Sequence, residues 1–182
     1  MVPNIKSSTI TIDPKVQVID NFLDKDTFNL FQNYILSPQM VWNWNEYIII
    51  NDEKFKGDSN QYQFAYTFYD MNEDRQQNKL YPLIEPFLLK LKPNLLRRIK
   101  INLNPRTVFH RSGGYHTDFP YFPTAKTAVY YVNTNNGYTI LKGYGKVKSV
   151  ENRMVIFDSD ILHTGVSCTD KKRRVVVNFN YG

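Results

Sequence analysis

Apolar positions recur at two spacings along this chain, and the change between them divides it. In VQVIDNFLDKDTFNLFQNYILS, a short alternating stretch gives way to helical spacing that puts Phe28, Phe31 and Ile35 on one face, with Asp24 placed to cap. The segments EYIII (46–50) and QYQFAYTFYD (61–70) are β-rich and flank the polar turn residues NDEKFKGDSN, which predicts a hairpin or neighbouring strands. Helical spacing returns in QQNKLYPLIEPFLLKLK, where Leu80, Ile84, Phe87, Leu88 and Leu91 form a stripe and Pro82 and Pro86 displace or kink the first turn.

From RRIKINLNP onward the pattern is that of strands: 97–104, 126–133, 137–142, 153–158 and 173–181, separated by Gly, Asn and Asp. Short, regularly spaced strands favour a sandwich or barrel. The fold class read from the pattern is mainly β (α+β), a jelly roll buttressed by two or more N-terminal helices. Residues 1–182 read as one domain, with 1–96 as helical and strand support and 97–182 as the core jelly roll.

Composition adds little to this except through the aromatics. Thirteen Tyr and twelve Phe suit strands and broad hydrophobic surfaces. The one cysteine, Cys168, rules out an intramolecular disulfide. No apolar run has the length of a signal-peptide core or a membrane span, so the expected location is the cytoplasm and no membrane partner is expected. A net charge of +6 permits an anionic ligand or nucleic acid without identifying either.

Chemistry enters at GGYHTDFP, residues 113–120. On an extended chain, His116 and Asp118 point the same way, roughly 6–7 Å apart at the backbone, a chelating distance. A neighbouring strand of a jelly roll would bring His163, at the end of MVIFDSDILHTG, over the same face. Two imidazoles and one carboxylate occupy one triangular face of an octahedral ion and leave adjacent positions open, the arrangement of non-haem Fe(II) oxygenases. Zinc competes on ligand type, but hydrolytic zinc needs a nearby general base, and none is evident. A His-x-Asp pair alone arises by chance in many strands.

Three features raise its meaning. Arg174 opens the final apolar strand, where a guanidinium is costly to bury unless it meets an anion, and its two parallel hydrogen bonds suit a dicarboxylate. In AVYYVN, Tyr130 and Tyr131 face opposite ways, so one hydroxyl is placed to share that anion. The order, His-x-Asp, then a Tyr-bearing strand, then a distal His, then Arg, is the third. Arg173 is the rival of Arg174, since a one-residue slip exchanges their faces. His110 reads as a surface residue or a support to the site, and Cys168 has no nearby base or second thiol to activate it.

With these residues the chain resembles the 2-oxoglutarate and Fe(II)-dependent dioxygenases, in their prolyl-4-hydroxylase-like branch. The resemblance runs from VIDNFLDKDTF through HTD, AVYYVN, GYT and VIFDSDILHTG to RRVVVNFNY, with the specific part in the C-terminal half. It implies a double-stranded β-helix (a cupin-like jelly roll), iron held by His116, Asp118 and His163, and the distal 2-oxoglutarate carboxylate held by Arg174 and Tyr130. Asn104 in INLNP and Thr139 in GYT are carried over as further cosubstrate contacts. The activity implied is hydroxylation of an unactivated C–H bond, most readily a peptidyl proline, consuming O2 and releasing succinate and CO2. Ascorbate would sustain turnover. Asp118 fills the coordination position that a halide would need, which argues for hydroxylation over halogenation.

The expected partner is a peptide or small-molecule substrate. Nucleic-acid demethylation by the same chemistry is an alternative, supported by Lys90, Lys92, Arg97, Arg98 and Lys100 in LKLKPNLLRRIK, for which a solvated charged face is the simpler reading. It is opposed by Asn178 and Asn180, which stand where such demethylases carry a second arginine. A non-catalytic jelly-roll binding module is the alternative of a different class. Trp42 and Trp44 are assigned to packing or the rim.

Overall fold

The computed structural model describes residues 8–48, 62–72, 79–118 and 124–182. Among them, eleven strands form two sheets. The larger sheet joins β1 (Ser8–Asp13), β2 (Val16–Asp20), β9 (Arg153–Asp158), β6 (Lys126–Tyr131), β11 (Arg173–Tyr181), β5 (Leu96–Pro105), β4 (Gln63–Asp70) and β3 (Asn43–Asn45), in that order. The smaller joins β10 (His163–Val166), β7 (Tyr138–Leu141) and β8 (Gly145–Lys148). Every pairing is antiparallel, as expected of a jelly roll.

Strand alternation sorts the core into two compartments. On β6, Ala128 and Tyr130 face the helices while Val129 and Tyr131 face the small sheet. On β11, Val175, Val177 and Phe179 pack toward the helices and Val176 the other way. On β5, Ile99, Ile101 and Leu103 pack with the helices, so Arg98, Lys100, Asn102 and Asn104 turn to the opposite face.

The helices cover the outer face of the large sheet. α1 (Lys25–Leu36) is capped by Asp24, whose carboxylate accepts from the Thr27 amide at 3.0 Å, and it buries Phe28, Phe31 and Ile35. The proline-rich approach forms a 3-10 turn at Tyr81–Leu83 before α2 (Glu85–Leu91), which buries Phe87. Prolines lacking an amide hydrogen are accommodated at these starts, where no intrahelical partner is lost.

Three elements depart from the pattern reading. The strand assigned to 46–50 lies earlier, at β3, and residues 49 and 50, like the expected turn 51–60, fall outside the described residues. β8 and β10 are additional strands of four residues each, GKVK and HTGV, each with a single aliphatic residue to mark it. Among the described residues, no helix is long and apolar enough to cross a membrane.

Candidate metal centre

The distal histidine opens β10, and the segment ending in His116 runs antiparallel beside it. Their backbones exchange hydrogen bonds, His116 N to His163 O at 3.0 Å and His163 N to His116 O at 2.9 Å. Directly opposed residues share a face, which puts the imidazole centroids 4.4 Å apart. Each Nδ1 lies against a backbone carbonyl two residues earlier: His163 on Ile161 O at 3.0 Å and His116 on Gly114 O at 3.3 Å. A proton on Nδ1 satisfies those carbonyls and leaves the Nε2 lone pairs for a metal.

Both Nε2 atoms face Asp118, at 3.7 Å from His116 to Oδ1 and 3.9 Å from His163 to Oδ2. The three ligand atoms lie within 4.8 Å of one another, a spacing that one ion with bonds of about 2 Å can gather with small side-chain movements. The carboxylate is held from behind. Oδ2 accepts from the Asn180 amide at 2.7 Å and the Thr127 hydroxyl at 3.0 Å, and the Arg98 guanidinium stands 3.9 Å from Oδ1. Burial opposes the charge on Asp118, but the two imidazoles, Arg98 and Asn180 outweigh it and hold the carboxyl below its usual range. Burial also pushes His163 below the ordinary imidazole value against the pull of Asp118, which favours the neutral, ligating form.

A cavity of about 760 Å³ joins this cluster to Arg174. Only 3% of Arg174 is exposed. Its Nε donates to Ser149 Oγ at 3.1 Å and its Nη2 to Thr139 Oγ1 at 3.0 Å, and that same Thr139 oxygen accepts from the Tyr131 hydroxyl at 2.8 Å. Among the described residues, no carboxylate lies within ion-pair distance of Arg174. Burial lowers its pKa, partly offset by Tyr131. Two glycines shape its surroundings. A Cβ on Gly165 would sit 3.3 Å from Nη1, and one on Gly137 would meet Arg174 Cδ and Val166 O, each at 2.8 Å.

Of the residues expected at the site, His116, Asp118 and His163 converge, and Arg174 and Thr139 are in contact. Asn104 pairs with Arg174 across β5 and β11 and lines the cavity. Tyr130 is a correction. Its ring packs between Phe22, Phe31 and Phe87 on the helix side, and its hydroxyl donates to Asn152 Oδ1 at 3.0 Å. The register of β6 turns Tyr131 to the cavity side instead, with Arg174 Cζ 5.6 Å from its ring centroid. Arg173 points to the other face, donating to Leu36 O at 2.6 Å. His110 is exposed, its Nδ1 2.8 Å from Ser167 O, and Cys168 is buried against Lys171 O.

Sequence reasoning missed four supports: Tyr131, Ser149, Thr127 and Asn180. Asn180 was within reach, because it follows Arg174 at strand period on the same face of β11. Ser149 carried no signal, since it sits just after the unforeseen β8. The basic run does not form one solvated face. Lys90 donates to Phe22 O at 2.6 Å, Arg97 is only 9% exposed, and Arg98 and Lys100 turn into the cavity.

The chain superposes on a prolyl hydroxylase from Trichoplax adhaerens, solved with a hypoxia inducible factor peptide fragment, at TM-score 0.60, covering 92% of this chain and 83% of that one at 14% identity. This is the jelly roll of the prolyl hydroxylases. A Pseudomonas putida prolyl-4-hydroxylase shares the same fold at TM-score 0.55, 14% identity and 92% coverage of both chains. The fold extends to SnoN, a non-heme alpha ketoglutarate dependent epimerase from nogalamycin biosynthesis, at TM-score 0.56, 13% identity and coverage of 92% and 78%. No protein-family model and no curated protein sequence matches the chain.

Proposed function

We propose that this protein is a non-haem Fe(II), 2-oxoglutarate-dependent dioxygenase that hydroxylates an unactivated C–H bond. The observation that carries this reading is the buried Arg174, which faces the same cavity as the His116–Asp118–His163 cluster and has no acidic partner among the described residues. A buried guanidinium without an anion is costly, and a dicarboxylate of fixed length relieves that cost while its other end reaches the metal. The donor set, two neutral imidazoles and one carboxylate, suits Fe(II) and leaves adjacent coordination positions for a chelating keto acid.

When bound, Fe(II) and 2-oxoglutarate together supply the oxidising power for C–H hydroxylation, with O2 consumed and succinate and CO2 released. The chain's own residues bind and orient. Arg174 pairs with the distal carboxylate, while Thr139 and Tyr131 fix the guanidinium plane, and Asn104 borders the same end. At the other end, Asn180 and Thr127 pin the Asp118 oxygen that faces them.

The proposed substrate is a peptidyl proline. The cavity mouth supports it with exposed apolar side chains, Trp44, Val108 and Phe109, on which an extended chain can lie, and the fold is that of proteins named for this reaction. Anaerobic addition of Fe(II) and 2-oxoglutarate should produce a visible charge-transfer band, and admission of air should produce succinate. Lack of both would dismiss the assignment, and a band without succinate would make the protein a non-catalytic binding module. Mass spectrometry of proline-rich peptides after incubation with Fe(II), ascorbate and 2-oxoglutarate should show a gain of one oxygen.

A further inference from the structure

We infer that Asn102 on β5 and Asn178 on β11 hold the substrate, each bonding through its side-chain amide to the main-chain N–H and C=O of one of the two residues that flank the oxidised one. The inference rests on the oxygenase reading above and names the substrate class of that site: an internal peptide segment whose oxidised proline lies between two residues that are not proline.

Two rows of side chains face the cavity side of the large sheet. Register sets Arg98 opposite Asn180, Lys100 opposite Asn178, Asn102 opposite Val176 and Asn104 opposite Arg174. The amide at the metal end is saturated, since Asn180 donates to Asp118 Oδ2 at 2.7 Å and accepts from Arg98 Nη2 at 3.2 Å. Those in the middle of the rows are not. Among the described residues, neither Asn102 nor Asn178 makes a side-chain hydrogen bond, although both line the cavity, and Asn102 Oδ1 is buried without a partner. Asn102 lies between Ala65 and Val176 on the neighbouring strands, whose side chains have nothing to donate. Asn178 lies between Val129 and Lys100. The Lys100 ammonium is directed elsewhere, to the Asn45 side-chain oxygen at 3.1 Å in the orientation that satisfies both ends of that amide.

The cosubstrate does not meet this need. 2-Oxoglutarate carries only acceptors, so it satisfies N–H groups and never an amide oxygen. Its track also lies elsewhere. Gly165 borders Arg174 Nη1, and His163 stands two residues earlier on the same face of β10, so the line from guanidinium to metal follows the small sheet. Asn102 and Asn178 belong to the large sheet across the cavity, where β5 neighbours β4 and β3 and the wall continues to Trp44 and Tyr62. A polar group left unpaired in such a place is costly, and a ligand offering both an N–H and a carbonyl removes that cost on binding.

The spacing fits an extended chain. Asn102 and Asn178 are diagonal neighbours across β5 and β11, with side chains about 7 Å apart. In an extended peptide the N–H and C=O of one residue point to the same edge, and the residue that repeats this lies two positions on, roughly 6–7 Å away. The terminal torsion of an asparagine is soft, so each amide can turn both its ends to such a pair. The residue between them points its main-chain groups to the other edge, where a proline, lacking an N–H, leaves neither amide short of a donor. A proline at either flanking position would leave one asparagine oxygen unpaired. A base edge also pairs with an asparagine amide, but it does not supply this two-residue repeat.

The test is calorimetric binding to the full chain loaded with Mn(II) and 2-oxoglutarate. The probes are a capped peptide of Ala and Ser with one central proline, the same peptide with an ester oxygen replacing the N–H of the residue before the proline, after it, or near one end, and a short single-stranded oligonucleotide. The ester at either flanking residue should weaken binding roughly tenfold, and the ester near the end should not. Asn102→Leu should abolish the effect at one flanking position and Asn178→Leu at the other. Equal binding of all the peptides, binding of none, or tighter binding of the oligonucleotide overturns the inference and leaves the oxygenase reading intact. So do variants that weaken 2-oxoglutarate binding yet keep the full ester effect, which would assign the amides to the cosubstrate. Failure of Mn(II) and 2-oxoglutarate to bind at all would remove the oxygenase reading instead. The ester series on the unaltered protein stands even if neither variant folds.

Discussion

Asn180, on the last strand, donates its side-chain amide to Asp118 Oδ2 at 2.7 Å, which ties the carboxylate of an irregular segment to the most buried part of the large sheet. The same amide lies 3.2 Å from Thr127 Oγ1, so carboxylate, hydroxyl and amide form one closed set. Removing the amide frees the carboxylate to rotate away from the imidazoles. Asn180→Ala should weaken Co(II) or Fe(II) binding by about 10–100-fold, the usual cost of losing a partner behind a ligand. Metal titration followed by visible absorption would check it, and unchanged affinity would show that Thr127 and Arg98 hold Asp118 in place without the amide.

Arg174→Met should separate stability from function. Replacing a buried cation that has no anionic partner among the described residues by an apolar side chain of similar length removes a costly desolvated charge. The ligand-free variant should therefore melt at or above the parent's temperature, yet lose 2-oxoglutarate turnover and retain metal binding. A large fall in melting temperature would mean that Ser149 and Thr139 already satisfy the guanidinium.

The two adjacent tyrosines should give opposite phenotypes. Tyr130→Phe removes the hydrogen bond to Asn152 and should cost about 1 kcal/mol of stability without altering the dependence on 2-oxoglutarate. Tyr131→Phe loosens the Thr139 hydroxyl that orients Arg174 and should raise the KM for 2-oxoglutarate. Steady-state kinetics and thermal melting on the pair distinguish them.

That pair also shows what the sequence could and could not tell. Alternation revealed that the two rings face opposite ways, but which one faces the cavity depends on the register of β6 against β11, with Tyr130 opposite Val177 and Tyr131 opposite Val176. Arg173 and Arg174 pose the same problem on β11, because the Val175-Val176-Val177 run that follows is buried on both faces and leaves the phase open; the structure turns Arg174 to the cavity and Arg173 to Leu36 O. The helices were legible from their stripes and the Asp24 cap, and β5, β9 and β11 from their length. The short β8 and β10 were not, because GKVK and HTGV each offer a single aliphatic residue, whereas the equally short β7, YTIL, is marked by its apolar residues.

The helix cap gives a pH-dependent prediction independent of the site. The Thr27 amide and hydroxyl hold the Asp24 carboxyl below its ordinary 3.8. A carboxylate depressed in the folded state adds stability that is present above the unfolded pKa and lost as pH falls through the folded one. Asp24→Ala should therefore cost about 1 kcal/mol near neutrality and progressively less as pH falls below ~4 and through the folded-state pKa, beneath which the carboxyl is protonated in both states. Urea unfolding of parent and variant across that range measures the convergence.

Gly165 borders Arg174 Nη1 with only hydrogen atoms. Clearance created by a missing side chain, rather than by one that must swing aside, exists before any ligand arrives. Capture of the keto diacid at that end should then be a single-step encounter, with an observed rate that rises linearly with ligand concentration and reaches no plateau.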